Sequence, residues 1–171
     1  DTTFGKVGKV ITSYSSLGYD RGSSVAINTL DGTIIVAGQT NSPNAAVIAR
    51  FTPKGALDTK FGTKGLTYTA LTRPEDEADA SGLFGSLAIQ TDGKILFSGY
   101  EYNGTETVAV LLRYTALGLA DASFGSAGKV TTLQGIYSDG VQTAISGGKI
   151  LVAGTTDDDA SNHYDLLLMQ Y

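Results

Sequence analysis

The chain has 171 residues and a mass of 17.7 kDa, room for one domain and marginal for two. Its 42% apolar and 17% charged residues exclude a disordered tail, and 12 Lys+Arg against 17 Asp+Glu, net −5, exclude a sequence-independent grip on nucleic-acid phosphates. Zero cysteines and a single histidine, His163, exclude a disulfide framework, a thiolate site and a histidine-rich metal centre.

In chain order, Asp1-Thr2-Thr3-Phe4-Gly5 opens a turn that Gly8 closes, and residues 9–12 read as a strand. Residues 24–28, 33–38 and 46–52 read as three more, the first two joined across Asp31-Gly32. The set then restarts. Asp58-Thr59-Lys60-Phe61-Gly62 returns 57 residues after the first turn, and Asp121-Ala122-Ser123-Phe124-Gly125 returns 63 residues after the second. In register behind these turns come Val25-Ala26-Ile27, Leu87-Ala88-Ile89 and Thr143-Ala144-Ile145. Next come Ile34-Ile35-Val36-Ala37-Gly38, Ile95-Leu96-Phe97-Ser98-Gly99 and Ile150-Leu151-Val152-Ala153-Gly154. Last come Val47-Ile48-Ala49-Arg50-Phe51, Val110-Leu111-Leu112-Arg113-Tyr114 and Leu167-Leu168-Met169-Gln170-Tyr171.

Each run is short, rich in β-branched residues and bounded by Gly, Asp or Asn, and none carries a helical period. Every repeat therefore predicts four antiparallel strands, named outer, inner, second and third. Asp31-Gly32, Asp92-Gly93 and Gly147-Gly148 predict primed hairpin turns, which need φ > 0. The high glycine count, 22 against 3 prolines, fits many such turns. The chain reads as one domain over 1–171 with repeats at 1–57, 58–120 and 121–171.

The second and third strands are continuous apolar runs, so both of their faces need cover. A sandwich would alternate with polar residues on its outer faces, and a solenoid would repeat at a shorter period of about 20–30 residues. The expectation is an all-β chain: a β-propeller built from three four-stranded antiparallel blades.

Asp92-Gly93-Lys94-Ile95-Leu96-Phe97-Ser98-Gly99, Arg113-Tyr114 and the run from Gly118-Leu119-Ala120-Asp121 through Phe124-Gly125-Ser126-Ala127-Gly128-Lys129-Val130 resemble the delta-60 repeat, a bacterial β-propeller repeat. The likeness extends over essentially the whole chain, with local departures at Thr33, Gly147 and Gln170. It implies a propeller fold and an exported or cell-surface bacterial protein, and it implies no catalytic residues.

Known propellers have about four to eight blades, so three do not close a ring. The last repeat lacks an outer strand, while residues 1–13 form an outer strand without a blade. Two readings follow: a homodimer whose six blades close with C2 symmetry, the chain being half of a closed ring, or a fragment of a larger propeller. No apolar run approaches the roughly 18 residues of a membrane-crossing helix. The sequence opens at Asp1 without Met or a signal peptide, so an earlier segment is expected to have been removed.

Alternating strands sort the connections to two ends. The Asp-Gly and Phe-Gly-x-x-Gly turns are nearly uniform among the repeats and carry all eight lysines; the opposite loops vary and carry most of the acids. Variable loops on a fixed scaffold are where binding is expected. The binding-face candidates are Tyr19, Arg21, Arg73, Glu75, Tyr100, Tyr102, Tyr137, His163 and Tyr164. Asp157, Asp159 and Asp165 are candidate Ca²⁺ ligands, although Asn162 and Leu168 break the EF-hand pattern; no other cofactor is expected. Gly125 to Lys129 only superficially matches a phosphate loop, and His163 has no nucleophile partner in a recognisable elbow. A glycosidase needs two carboxylates across a cleft, and spacing fixes no such pair. The sequence reading is a non-catalytic exported scaffold or recognition module that binds a protein or glycan. A lectin-like sugar-binding propeller is the alternative, with a carboxylate hydrolase behind it.

Overall fold

The apolar runs receive their cover from neighbouring sheets. The computed structural model describes residues 1–13, 19–41, 44–72, 85–134, 137–157 and 163–171, and for 137–141 the backbone alone. Among these residues there is no helix. The first sheet is β1 (Asp20–Ile27), β2 (Ile34–Asn41), β3 (Asn44–Phe51) and β4 (Leu66–Ala70), antiparallel and in sequence order. The second is β5 (Ser86–Ile89), β6 (Ile95–Tyr102), β7 (Thr107–Tyr114) and β8 (Lys129–Thr132). The third has three strands, β9 (Tyr137–Ser146), β10 (Lys149–Asp157) and β11 (Asp165–Gln170), and one parallel bridge, Thr107 to Tyr137, links it to the second. Each sheet, called a blade below, runs in the predicted strand order, and among the described residues the third has no outer strand.

Period-two alternation splits β6 and β7 into two apolar faces. Ile95, Phe97, Val110 and Leu112 pack on Ile35, Ala37, Ala46 and Ile48 of the first blade. Leu96, Ala109 and Leu111 pack on Ile150, Val152 and Met169 of the third. The middle blade is thus buried on both sides, and β3 and β7 are buried almost throughout.

Two expectations need correction. Residues 9–12 are not a strand; they make only local bridges, such as Gly5 with Lys9, because no third strand lies beside them. Of the three predicted primed two-residue turns, one forms, at Gly147-Gly148, where both residues are left-handed and Ser146 pairs with Lys149. In the first two repeats the loop is longer: Asn28 N–H donates to the Thr33 carbonyl and Gln90 N–H to the Lys94 carbonyl, and of the Asp-Gly pair only Gly32 or Gly93 takes a positive φ.

Candidate functional site

The uniform end is a structural clamp. Arg50 and Arg113 close the third strands of the first two blades. Arg50 Nη2 lies 2.8 Å from Asp58 Oδ2, and Arg113 Nε lies 2.8 Å from Asp121 Oδ2. Each guanidinium also covers the phenylalanine of the same turn, Phe61 at 4.9 Å and Phe124 at 4.2 Å. Arg50 Nη1 donates to the Ala116 carbonyl of the second blade at 2.6 Å, so the clamp also ties neighbours together. These groups satisfy one another and hold the fold.

At the variable end, the second strands finish in Asn41, Tyr102 and Asp157. Glu101, one residue before the end of β6, is only 7% exposed, and its Oε1 meets Lys129 Nζ at 2.5 Å. Register places Glu101 and Lys129 on the face of the second blade that looks toward the first. Gln39, 3% exposed, lies on the facing side of β2 with Ile35 and Ala37. A buried carboxylate with its half-buried ammonium partner, and a buried amide, therefore lie on the facing sides of the first two blades. Thr72, just past β4, ties the two blades at this end: Tyr102 N–H donates to the Thr72 carbonyl at 3.0 Å, and the Thr72 hydroxyl donates back to the Tyr102 carbonyl. The Glu101–Lys129 contact corrects the expected segregation of charge, because one lysine of the uniform turns reaches an acid of the opposite end.

The predicted candidates scatter over the variable end. Tyr100 and Tyr102 lie on β6 beside Glu101, half-buried. Tyr19 and Arg21 sit at the start of the first blade, exposed, with Tyr19 N–H donating to Asn41 Oδ1 at 2.7 Å. His163 and Tyr164 are exposed ahead of β11. The backbone of Tyr137 begins β9, opposite Asp157. Arg73, Glu75 and Asp159 lie outside the described residues. Of the proposed Ca²⁺ ligands, Asp157 is 5% exposed, while Asp165 pairs with Thr156, so alternation directs the two to opposite faces of the blade. Among the described residues no three acidic or histidine side chains gather as a metal site. The candidate list lacked Glu101, Lys129 and Gln39. Their meeting spans strands, and only the acid-rich character of that end pointed to them.

Residues 30–61 and 90–124 match the family described as "Domain of unknown function (DUF5122) beta-propeller". These segments run from the Asp-Gly turn to the Phe-Gly turn of the first two repeats, which supports a propeller family. No curated protein matches the chain. Among solved structures, the chain is similar to an alpha-L-arabinofuranosidase from Clostridium thermocellum ATCC 27405, with a TM-score of 0.50 and 14% identity, over 86% of this chain and 46% of that one. This chain thus spans less than half of that enzyme's length, and the likeness is one of fold: all-β and propeller-like. The finding corrects the expectation of a non-catalytic recognition module. A protein that shares this fold is described as a glycoside-cleaving enzyme, so the architecture gives no ground for setting catalysis aside. Among the described residues no helix is long and apolar enough to cross a membrane.

Proposed function

We propose that the chain is part of a glycan-directed hydrolytic propeller of the delta-60 repeat type, with its blades closed into a ring, acting outside the bacterial cell. The observation that carries the reading is Glu101, a buried carboxylate on the face of the second blade toward the first, with Lys129 balancing its charge. Hydrolysis of a glycosidic bond takes two carboxylates, one on each side of the scissile bond. Glu101 supplies one, and Glu106, just ahead of β7 in the same blade, is the described acid offered as the second. The fold likeness to an arabinofuranosidase supports a glycan as substrate class.

The test is a panel of chromogenic aryl glycosides, an aryl α-L-arabinofuranoside among them. Release of the chromophore is expected, with loss of turnover in Glu101→Gln while circular dichroism is unchanged. A folded chain that cleaves no glycoside on the panel, or a Glu101→Gln variant with full turnover, overturns the reading.

A further inference from the structure

The two ends of the blade stack expose the surfaces that the interior buries. In the second blade, Leu87, Ile95 and Phe97 face the first blade and are buried. Their counterparts in the first blade are Val25, Ile34 and Val36, which line an open groove of about 460 Å³ together with Phe4, Val10 and Ile11. On the other side of the second blade, Leu111 is 1% exposed under the third. Its counterpart Leu168 is 64% exposed, and Leu166, the counterpart of Ala109, is 85% exposed. The following face of the third blade and the preceding face of the first are thus the two halves of an interface that the chain already makes twice.

A strand is displaced in the same sense. Gly62 N–H donates to the Leu117 carbonyl at 2.8 Å, which seats the turn before β4 on the second blade. Gly5 N–H donates to the Lys54 carbonyl at 2.9 Å, which seats the N-terminal segment on the first blade in the same way. Residues 9–12 therefore stand where the outer strand of a preceding blade stands, yet no third strand lies beside them among the described residues. Among the described residues β11 in turn pairs only with β10, leaving its other edge without a strand.

We infer that this chain docks head to tail with a second copy of itself, residues 9–12 of one copy completing the last blade of the other. The register follows from the two complete blades. Ala49 pairs with Leu66 and Ile48 with Thr67; Leu112 pairs with Lys129 and Leu111 with Val130. Transferred to the open edge, Met169 pairs with Lys9, Leu168 with Val10, Leu167 with Ile11 and Leu166 with Thr12. Reciprocal docking covers both exposed faces with the same kind of contact that the chain makes between its own blades. The inference rests on the ring closure proposed above and on nothing in the glycan reading.

The experiment uses the 171-residue chain itself. Light scattering is expected to give twice 17.7 kDa. The chain has no cysteine, so Val10→Cys combined with Leu168→Cys is expected to form two symmetry-related intermolecular disulfides on oxidation, whereas Val10→Cys combined with Leu166→Cys, out of register, is not. Leu166→Lys with Leu168→Lys is expected to weaken the dimer about a hundredfold or more, since each leucine contributes about 1.5–3 kcal/mol when buried. Both leucines are exposed in the single chain, so this variant keeps its protomer fold. A monomer at micromolar concentration, an open-ended polymer, or cross-linking only between two Leu168→Cys positions overturns the inference. A monomer that still cleaves glycosides separates this failure from failure of the hydrolytic reading.

Discussion

The guanidinium of Arg113 lies 4.2 Å from the centre of the Phe124 ring while its Nε holds Asp121 at 2.8 Å, and Arg50 repeats the arrangement with Phe61 and Asp58. Cation, carboxylate and ring come from one strand end and the turn that follows it, so each blade closes its own corner. Arg50 does more, because its Nη1 also donates to the Ala116 carbonyl of the next blade. Arg50→Ala leaves Asp58 without its cation and Ala116 without its donor, and is expected to cost about 3 kcal/mol. For a chain of this size that is a fall of about 6–12 °C in Tm by calorimetry. Arg50→Lys is not expected to restore it, since an ammonium cannot make the forked contacts and the ring stack together. Arg113→Ala is expected to cost less, its side chain being more exposed than that of Arg50.

Acid sensitivity centres on the same turns. Asp121 is held well below the usual carboxylate range, first by the Ser123 hydroxyl, which donates at 2.6 Å, and then by the Ser123 N–H, Arg113 and Lys94. Asp31 is lowered first by the Thr33 hydroxyl, and Asp92 first by the Lys94 N–H. In the unfolded chain each titrates near about pH 3.9. Between that value and the lower folded one, the unfolded chain binds more protons, so stability falls as pH falls. The contribution is complete above about pH 5 and is lost progressively below about pH 4. Asp121→Asn is expected to melt earlier than the parent at neutral pH and to show a shallower decline of Tm below about pH 4, with the two curves converging in acid. Parallel curves from neutral to acid would remove Asp121 from this role.

The turn glycines differ in what they are required for. Gly118 has φ +80°, and a Cβ there would come within 2.7 Å of the Phe61 ring, whereas Gly147, at φ +57°, has nothing within 4 Å. Gly147→Ala is expected to cost only the left-handed strain, about 1 kcal/mol. Gly118→Ala adds overpacking against a buried ring held under Arg50, about 3 kcal/mol in all. Chemical denaturation of the two variants measures the difference. Equal losses would mean that Phe61 has room to move.

How far the sequence could be read follows from which signals are local. Ile34-Ile35-Val36-Ala37 and its two echoes revealed strands buried on both faces, because a run without polar alternation has one physical solution in a sheet. The clamp was also visible in outline: Arg50 to Asp58 and Arg113 to Asp121 share one spacing, and Gln170 marks where the pattern stops. Residues 9–12 carry the right residues for a strand and are not one, since a strand needs a neighbour that composition cannot supply. The Asp-Gly pairs marked the turns but not their length. Glu101 and Lys129 lie in different strands of one sheet, 28 positions apart in the chain, and no periodicity announces that their side chains meet.

A polar latch repeats between blades and gives the last prediction. Tyr114 Oη lies 2.6 Å from Thr69 Oγ1 of the preceding blade, and Tyr171 Oη lies 2.6 Å from Thr132 Oγ1. Burial pushes the Tyr114 phenol above its usual value, against the opposing effect of the Thr69 hydroxyl. Tyr114→Phe keeps the ring in the core and strands the Thr69 hydroxyl, for an expected loss of about 1 kcal/mol and a fall of about 2–4 °C in Tm. Adding Thr69→Val removes the orphaned group, so the double variant is expected to lose less than the two single losses together. The alkaline sign is opposite to that of Asp121. The folded chain keeps a proton that the unfolded chain releases near about pH 10, so stability falls as pH rises beyond that point. Tyr114→Phe is expected to flatten that alkaline decline, and ultraviolet titration of tyrosinate checks that the parent retains one phenol the variant lacks. An unchanged alkaline limb in the variant would show that Tyr114 does not govern it.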